Sequence, residues 1–277
     1  MTPRMAAPSR PHDGHRWADR PWAPRRALLS AAAAAGVCVV LLVGCTVEED
    51  PAPVDGASPG EASPLADTSG DLAVLADPTC ELGPPPDEPD PEVAADPVQF
   101  EVAGAVAIMT GGIGADFVHR MCDLTAENPA VTEVEMLDVP GSSTPGNESL
   151  EGGLVLRAQG LDTFLPGDGQ VESGGVDVFM AGVERVVADG GCLGVHATEL
   201  DFGDGPVSAA DLPRDDPEHE PYLEYFEAIG IPADFYWFTL QAAPPEGIHY
   251  LTPEEMVRYD VVTGAAPTEG CPLPDDR

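Results

Sequence analysis

From residue 98 to about 265 the apolar positions recur with two periods, one belonging to strands and one to helices. "VQFEVAGAVAIMTG" opens this region as strand, with Val102, Ala105, Ala107 and Ile108 ahead of a glycine turn. Ile113, Phe117, Met121 and Leu124 follow at the three- and four-residue steps that place side chains on one helix face. "VTEVEMLDV" predicts another strand ending at Pro140-Gly141, and Leu150, Leu154 and Ala158 predict a helix up to Gly160. "DTFLP" reads as a short strand, 174–182 as a helix, and "RVV" and "CLGVH" as further strands. "EHEPYLEYFEAIG" sets Tyr222, Tyr225, Phe226 and Ile229 on one helical face, and "ADFYWFTLQAA" is a more apolar helix. Thr252-Pro253-Glu254-Glu255 carries the capping signature of one more. Strands alternating with helices predict a single α/β domain over 98–265, with 266–277 as a C-terminal tail.

The chain before residue 98 has no such periodicity. Residues 45–97 are rich in proline, acid and small side chains, a composition that cannot bury enough apolar surface to fold alone. They predict a semi-extended tether with coil dimensions of roughly 40 Å. Residues 1–44 read differently: six arginines precede an apolar run over 27–43 that ends in Leu42-Val43-Gly44-Cys45. Basic region, apolar stretch and small residues before a cut site are the parts of an export signal. The run is slightly short for a membrane span of about 20 residues, the competing reading.

Charge narrows the function classes. The 277 residues hold 49 acids against 12 basic residues, all of them arginine, for a net charge of −37. Residues 1–44 contain two of the acids and six of the arginines, so the remaining stretch, 45–277, is more acidic still. Such a surface repels nucleic acid and anionic headgroups, which excludes nucleic acid as a partner.

Cysteine usage fits export. Cys38 lies within 1–44 and Cys45 at its boundary, leaving Cys80, Cys122, Cys192 and Cys271. An even number in an exported chain points to disulfides. Cys80 and Cys271 both lie in polar, proline-rich flanks and are expected to pair, a closure worth about 5 kcal/mol on the loop-entropy account. Cys122 and Cys192 suit buried thiols and a second bond equally.

The candidate chemistry is defined partly by what is missing. "MTGGIGADF" at 109–117 suggests a dinucleotide loop, but without any lysine the short-chain dehydrogenase mechanism has no base partner, and the stretch reads as a glycine turn. No cofactor is implied. Schiff-base chemistry and serine–lysine dyads are excluded for the same reason, so a serine nucleophile must use histidine: His119, His196, His219 or His249. None has a metal-site spacing such as HExxH, and no metal is expected. Ser173 precedes Gly174-Gly175 and the predicted helix. A serine at that corner either caps the helix or presents its hydroxyl beside an amide, on Gly174, able to stabilise an oxyanion.

Three resemblances add to this. The Leu-Val-Gly-Cys ending resembles the lipobox of bacterial lipoproteins, which implies diacylation of Cys45 and a lipid-anchored protein on the extracytoplasmic face of the cell membrane. Arg25-Arg26-Ala27-Leu28-Leu29 loosely resembles a twin-arginine signal. The globular region resembles the ClpP/crotonase superfamily, and particularly the Clp protease proteolytic subunit: Ser-Gly-Gly, Ala181-Gly182, an arginine, and a strand ending in His196, 23 residues beyond Ser173. "LDVPGSS" at 137–143 resembles the family's oxyanion loop, and "YLTPEEMVRYDVVTG" its closing helix and strand. This implies a ClpP/crotonase-like domain in which Ser173 attacks a peptide or ester substrate, His196 serves as base, and the Gly141 and Gly174 amides hold the oxyanion.

The chain departs from that pattern in three places. Ser142 replaces the loop's second glycine. The triad aspartate falls at Ile248, leaving Glu246 or Asp177 as substitutes. The insert after His196 replaces the segment by which Clp subunits form rings. A second reading is therefore a non-catalytic scaffold using the aromatic-rich stretch 222–238, whose spacing also suits core packing or a homo-oligomer interface.

Overall fold

Val134, Met136 and Val139 lie along one strand and are fully buried, which fixes that strand at the centre of the molecule. The computed structural model describes residues 80, 97–142, 146–202 and 205–272. The expected signal peptide, Cys45 and all of the expected tether except Cys80 and Pro97 lie outside the described residues. A hairpin leads in, β1 (Gln99–Ala103) against β2 (Val106–Thr110), its turn made by Gly104 at φ 68°. The chain then crosses through α1 (Phe117–Glu127) to the central strand β3 (Glu133–Val139), parallel to β2.

The sheet forks at β3. Its first half, Glu133 to Glu135, pairs with β4 (Asp162–Leu165), which continues to β6 (Arg185–Val187). Its second half, Asp138 and Val139, pairs with β5 (Gln170–Glu172), which continues to β7 (Cys192–Val195). The helices α2 (Glu148–Ala158) and α3 (Gly174–Met180) pack together and make the crossovers after β3 and β5. The fork brings the C-terminal ends of β3, β5 and β7 side by side, and Gly141, Ser173 and His196 each follow one of those ends.

The insert after His196 folds into a small hairpin, β8 (Glu199–Asp201) with β9 (Pro206–Ser208), and two 3-10 turns capped by Ser208 and Asp216. Two helices then follow, α4 (Glu220–Ile229) and α5 (Ala233–Ala242). Tyr225, Phe226, Ile229, Phe235 and Tyr236 from them are all buried, so much of the aromatic stretch is core. The chain closes with β10 (His249–Tyr250), antiparallel to β7, and α6 (Pro253–Arg258), which starts on a complete capping box between Thr252 and Glu255. The α/β class expected from the sequence is the one observed. Among the described residues no helix is long and apolar enough to cross a membrane.

The expected Cys80–Cys271 bond is not formed. Cys80 pairs with Cys122 on α1, and Cys271 pairs with Cys192 at the start of β7. The reason lies in the contacts that hold the segment before Cys271. Residues 268–269 are held against the turn before β7, where the Thr268 and Glu269 amides donate to the Asp189 carboxylate and Gly190 N–H donates to the Glu269 carbonyl. That run delivers Cys271 to Cys192, with Cα atoms 4.6 Å apart. Each flank is stapled to the body separately.

Candidate active site

Ser173 is not a helix cap. It occupies the N-cap position of α3 with no side-chain capping bond, and its backbone stands at φ 53°, ψ −129°. A non-glycine residue with positive φ costs of order 1–3 kcal/mol, held here by the surrounding structure. Two bonds hold the corner: Ser173 N–H donates to the Gly194 carbonyl at 2.9 Å, and the Ser173 carbonyl accepts from Val176 N–H at 2.8 Å. The first continues the β5–β7 ladder by one step, and the second begins the helix.

Gly141 supplies the space beside it. A Cβ on Gly141 would lie 2.7 Å from the Ser173 Cβ and 3.3 Å from its Oγ, and Gly141 stands at φ 108°. The relation is reciprocal across the fork: a Cβ on Gly174 would collide with the Ser142 Oγ. Each glycine is packed against the serine of the other loop. As the first residue of α3, Gly174 has an amide with no intrahelical partner, and the Gly141 amide donates no hydrogen bond among the described residues. The two amides expected to hold an oxyanion thus flank the serine.

His196 follows β7 directly. Glu172 pairs with Gly194, so Ser173 stands level with Val195 and His196 is one residue farther along the adjacent strand. Ring Nδ1–H donates to the Ala197 carbonyl at 2.8 Å, which leaves Nε2 as the nitrogen able to accept a proton. Ala197 is fixed in turn, its amide donating to the Ala243 carbonyl at 2.9 Å. Among the described residues no hydrogen bond joins the Ser173 hydroxyl to the His196 ring. Both side chains are partly exposed.

At the position expected for the triad acid the structure has Ile248, as the sequence indicates. The β7–β10 register pairs His249 with Val195, so one step on Ile248 stands opposite His196, with its side chain 40% exposed. Glu246 lies exposed in the turn before it. Asp177, one turn into α3, approaches the Ser149 hydroxyl at 3.5 Å rather than His196, and burial raises its carboxyl to about 7, against the lowering effect of Ser149. Among the described residues neither forms a hydrogen bond with the His196 ring.

Sequence reasoning passes over Glu172. It shares the sheet face of Gly194, and its carboxylate accepts from Tyr250 Oη at 2.5 Å and from Gln170 Nε2 at 2.7 Å. A signal exists, an acid directly before the serine, but a three-residue strand gives too little periodicity to orient it. The other histidines are committed elsewhere or lie apart: His249 to Glu255 at 3.0 Å, His219 to Tyr236 at 2.7 Å, and His119 half-buried on α1.

No family model matches the chain, and none of the curated proteins matches it. Solved structures do. An enoyl-CoA hydratase/isomerase family member is 13% identical over 62% of this chain and 70% of that one, with a TM-score of 0.40. A putative enoyl-CoA hydratase from Streptomyces coelicolor A3(2) is 13% identical over 69% and 72%, with a TM-score of 0.37. A mutant membrane-bound stomatin-specific protease is 12% identical over 59% and 80%, also at 0.37.

Proposed function

We propose that the chain is a serine hydrolase of ClpP/crotonase-like fold, held by a lipid on Cys45 at the extracytoplasmic face of the membrane, with peptides or esters as substrates. The observation that carries this reading is Ser173 itself. It pays for a strained backbone without using its hydroxyl as a cap, and strain of this kind concentrates at functional corners. In the proposed reaction the Ser173 oxygen attacks a carbonyl carbon while His196 Nε2 takes the hydroxyl proton. The oxyanion that forms sits between the Gly141 and Gly174 amides. His196 returns the proton to the leaving amine or alkoxide, and water repeats the cycle on the acyl-enzyme. The Ala197 carbonyl stands in for the triad acid as the group that fixes the imidazole tautomer. Ser173 and His196 follow the ends of two paired strands, β5 and β7, and neighbouring strands run about 4.8 Å apart. Catalytic bonds often close only with substrate present.

A panel of p-nitrophenyl esters and short peptides tests it. Hydrolysis by the wild type that vanishes in Ser173→Ala supports the reading. Absence of any Ser173-dependent turnover overturns it.

The second reading, a non-catalytic scaffold, is favoured by Ile248 at the acid's position and by the missing Ser173–His196 bond. It predicts that Ser173→Ala leaves the protein's cellular role intact, whereas changes in the exposed part of 222–238 abolish it.

A further inference from the structure

Of the five arginines among the described residues, three have structural roles. Arg185 is buried on backbone carbonyls, Arg157 donates to the Gly182 carbonyl, and Arg120 pairs with Asp116. The exceptions are Arg214 and Arg258. Both are exposed, and among the described residues neither forms an ion pair with a carboxylate, in a protein of 49 acids. Both line one groove of about 390 Å³ that also takes in residues of α5 and the end of α6. That volume lies in the lower part of the range for small-ligand sites, about 300–1,000 Å³.

The groove sets two guanidinium groups against aromatic faces. Arg214 stacks its guanidinium over the Trp237 ring at 4.5 Å, and Arg258 lies over Tyr259 at 5.1 Å. Stacking on a ring holds the planar fork in place while its edge N–H groups stay free to donate to a carboxylate. Phe238, stacked on Tyr259 at 4.5 Å, continues the apolar floor, and Asp234 adds one negative charge to the wall. None of the residues at the Ser173 corner lines this groove.

We infer that this groove binds a zwitterion with an apolar side chain: a free aromatic amino acid or a short peptide. Its carboxylate meets Arg214 and Arg258, its ammonium meets Asp234, and its side chain lies on Trp237 and Phe238. A net anion such as phosphate would be driven off by a chain of charge −37, whereas a zwitterion approaches without that long-range penalty and is captured at short range. The presence of Asp234 beside the two arginines favours the same ligand over a plain carboxylate. This inference does not depend on Ser173 chemistry.

Isothermal titration calorimetry on the full chain tests it, with L-phenylalanine, Ala-Phe, Ala-Phe amide, N-acetyl-phenylalanine and inorganic phosphate as probes. The expected result is saturable binding of L-phenylalanine or Ala-Phe, weakened at least tenfold by Arg258→Ala and by Arg214→Ala. Amidation or acetylation should weaken it similarly, and Asp234→Asn should erase the preference for a free amine. Saturation by both zwitterions assigns a free amino acid as sufficient, and saturation by Ala-Phe alone assigns a peptide. No saturable binding of either, binding unchanged by both arginine substitutions, or tighter binding of phosphate would overturn the inference.

Discussion

Gly141 and Ser173 touch across the forked sheet, so closely that a methyl group on the glycine would lie 2.7 Å from the serine Cβ. The contact also runs to the Glu172 carbonyl, 3.1 Å from the same point, and that carbonyl cannot move without disturbing the β5–β7 ladder. Gly141→Ala is therefore expected to destabilise the domain by about 2–4 kcal/mol, combining overpacking with strain at positive φ. Thermal unfolding measures the first effect. Any Ser173-dependent turnover should fall more than stability alone explains, because the displaced side chain is the proposed nucleophile.

The helices and most strands are legible in the sequence because their apolar positions repeat: Phe117, Met121 and Leu124 are buried as their spacing requires, and Thr252 caps α6 with Glu255. The features that escape are short or non-local. β5 is three residues, and β8 and β9 are three each, too brief for period-two alternation to register. The disulfide partners cannot be read from their flanks because pairing depends on how Asp189 gathers residues 268–269, a contact 79 or 80 positions apart in sequence. At the site, Ser173 and His196 are recoverable as residues, whereas the Ala197 carbonyl on His196 and the Tyr250 bond to Glu172 are products of the fold.

Peptide mapping under non-reducing conditions should recover Cys80 joined to Cys122 and Cys192 joined to Cys271. A Cys80–Cys271 peptide would contradict the structure. Replacing Cys192 and Cys271 together by serine is expected to cost about 2–5 kcal/mol, read as a lowered Tm.

Arg185 ties β6 to the C-terminal segment. Its Nε donates to the Val261 carbonyl, and its terminal nitrogens donate to the Gly182 and Asp260 carbonyls, each at 2.9–3.0 Å. Arg185→Met leaves those carbonyls unanswered and is expected to cost about 3 kcal/mol, because buried acceptors that lose a charged donor lose most of the bond. Denaturant unfolding checks it, and a change below about 0.5 kcal/mol would show that water replaces the guanidinium without loss.

Asp177 gives the protein a pH dependence of known sign. Its carboxyl is raised to about 7 by burial, while in the unfolded chain it titrates near the ordinary aspartate value of 3.8. Between about pH 4 and 7 the folded state keeps a proton that the unfolded state has released, so stability from this group falls as pH rises through that window. The wild-type Tm should drop more steeply from pH 4.5 to 7.5 than that of Asp177→Asn, which shares all the other carboxylates. Parallel curves would contradict the assignment.

The central claim is that His196 activates the hydroxyl of Ser173. Intact-mass and peptide measurements after treatment with a fluorophosphonate test it most directly, because the reagent needs an activated serine but no knowledge of substrate. The account predicts one adduct, on the peptide containing Ser173, absent from Ser173→Ala and formed at least a hundredfold more slowly in His196→Ala. A wild-type protein that stays unlabelled, or one labelled at the same rate after loss of the histidine, would contradict it.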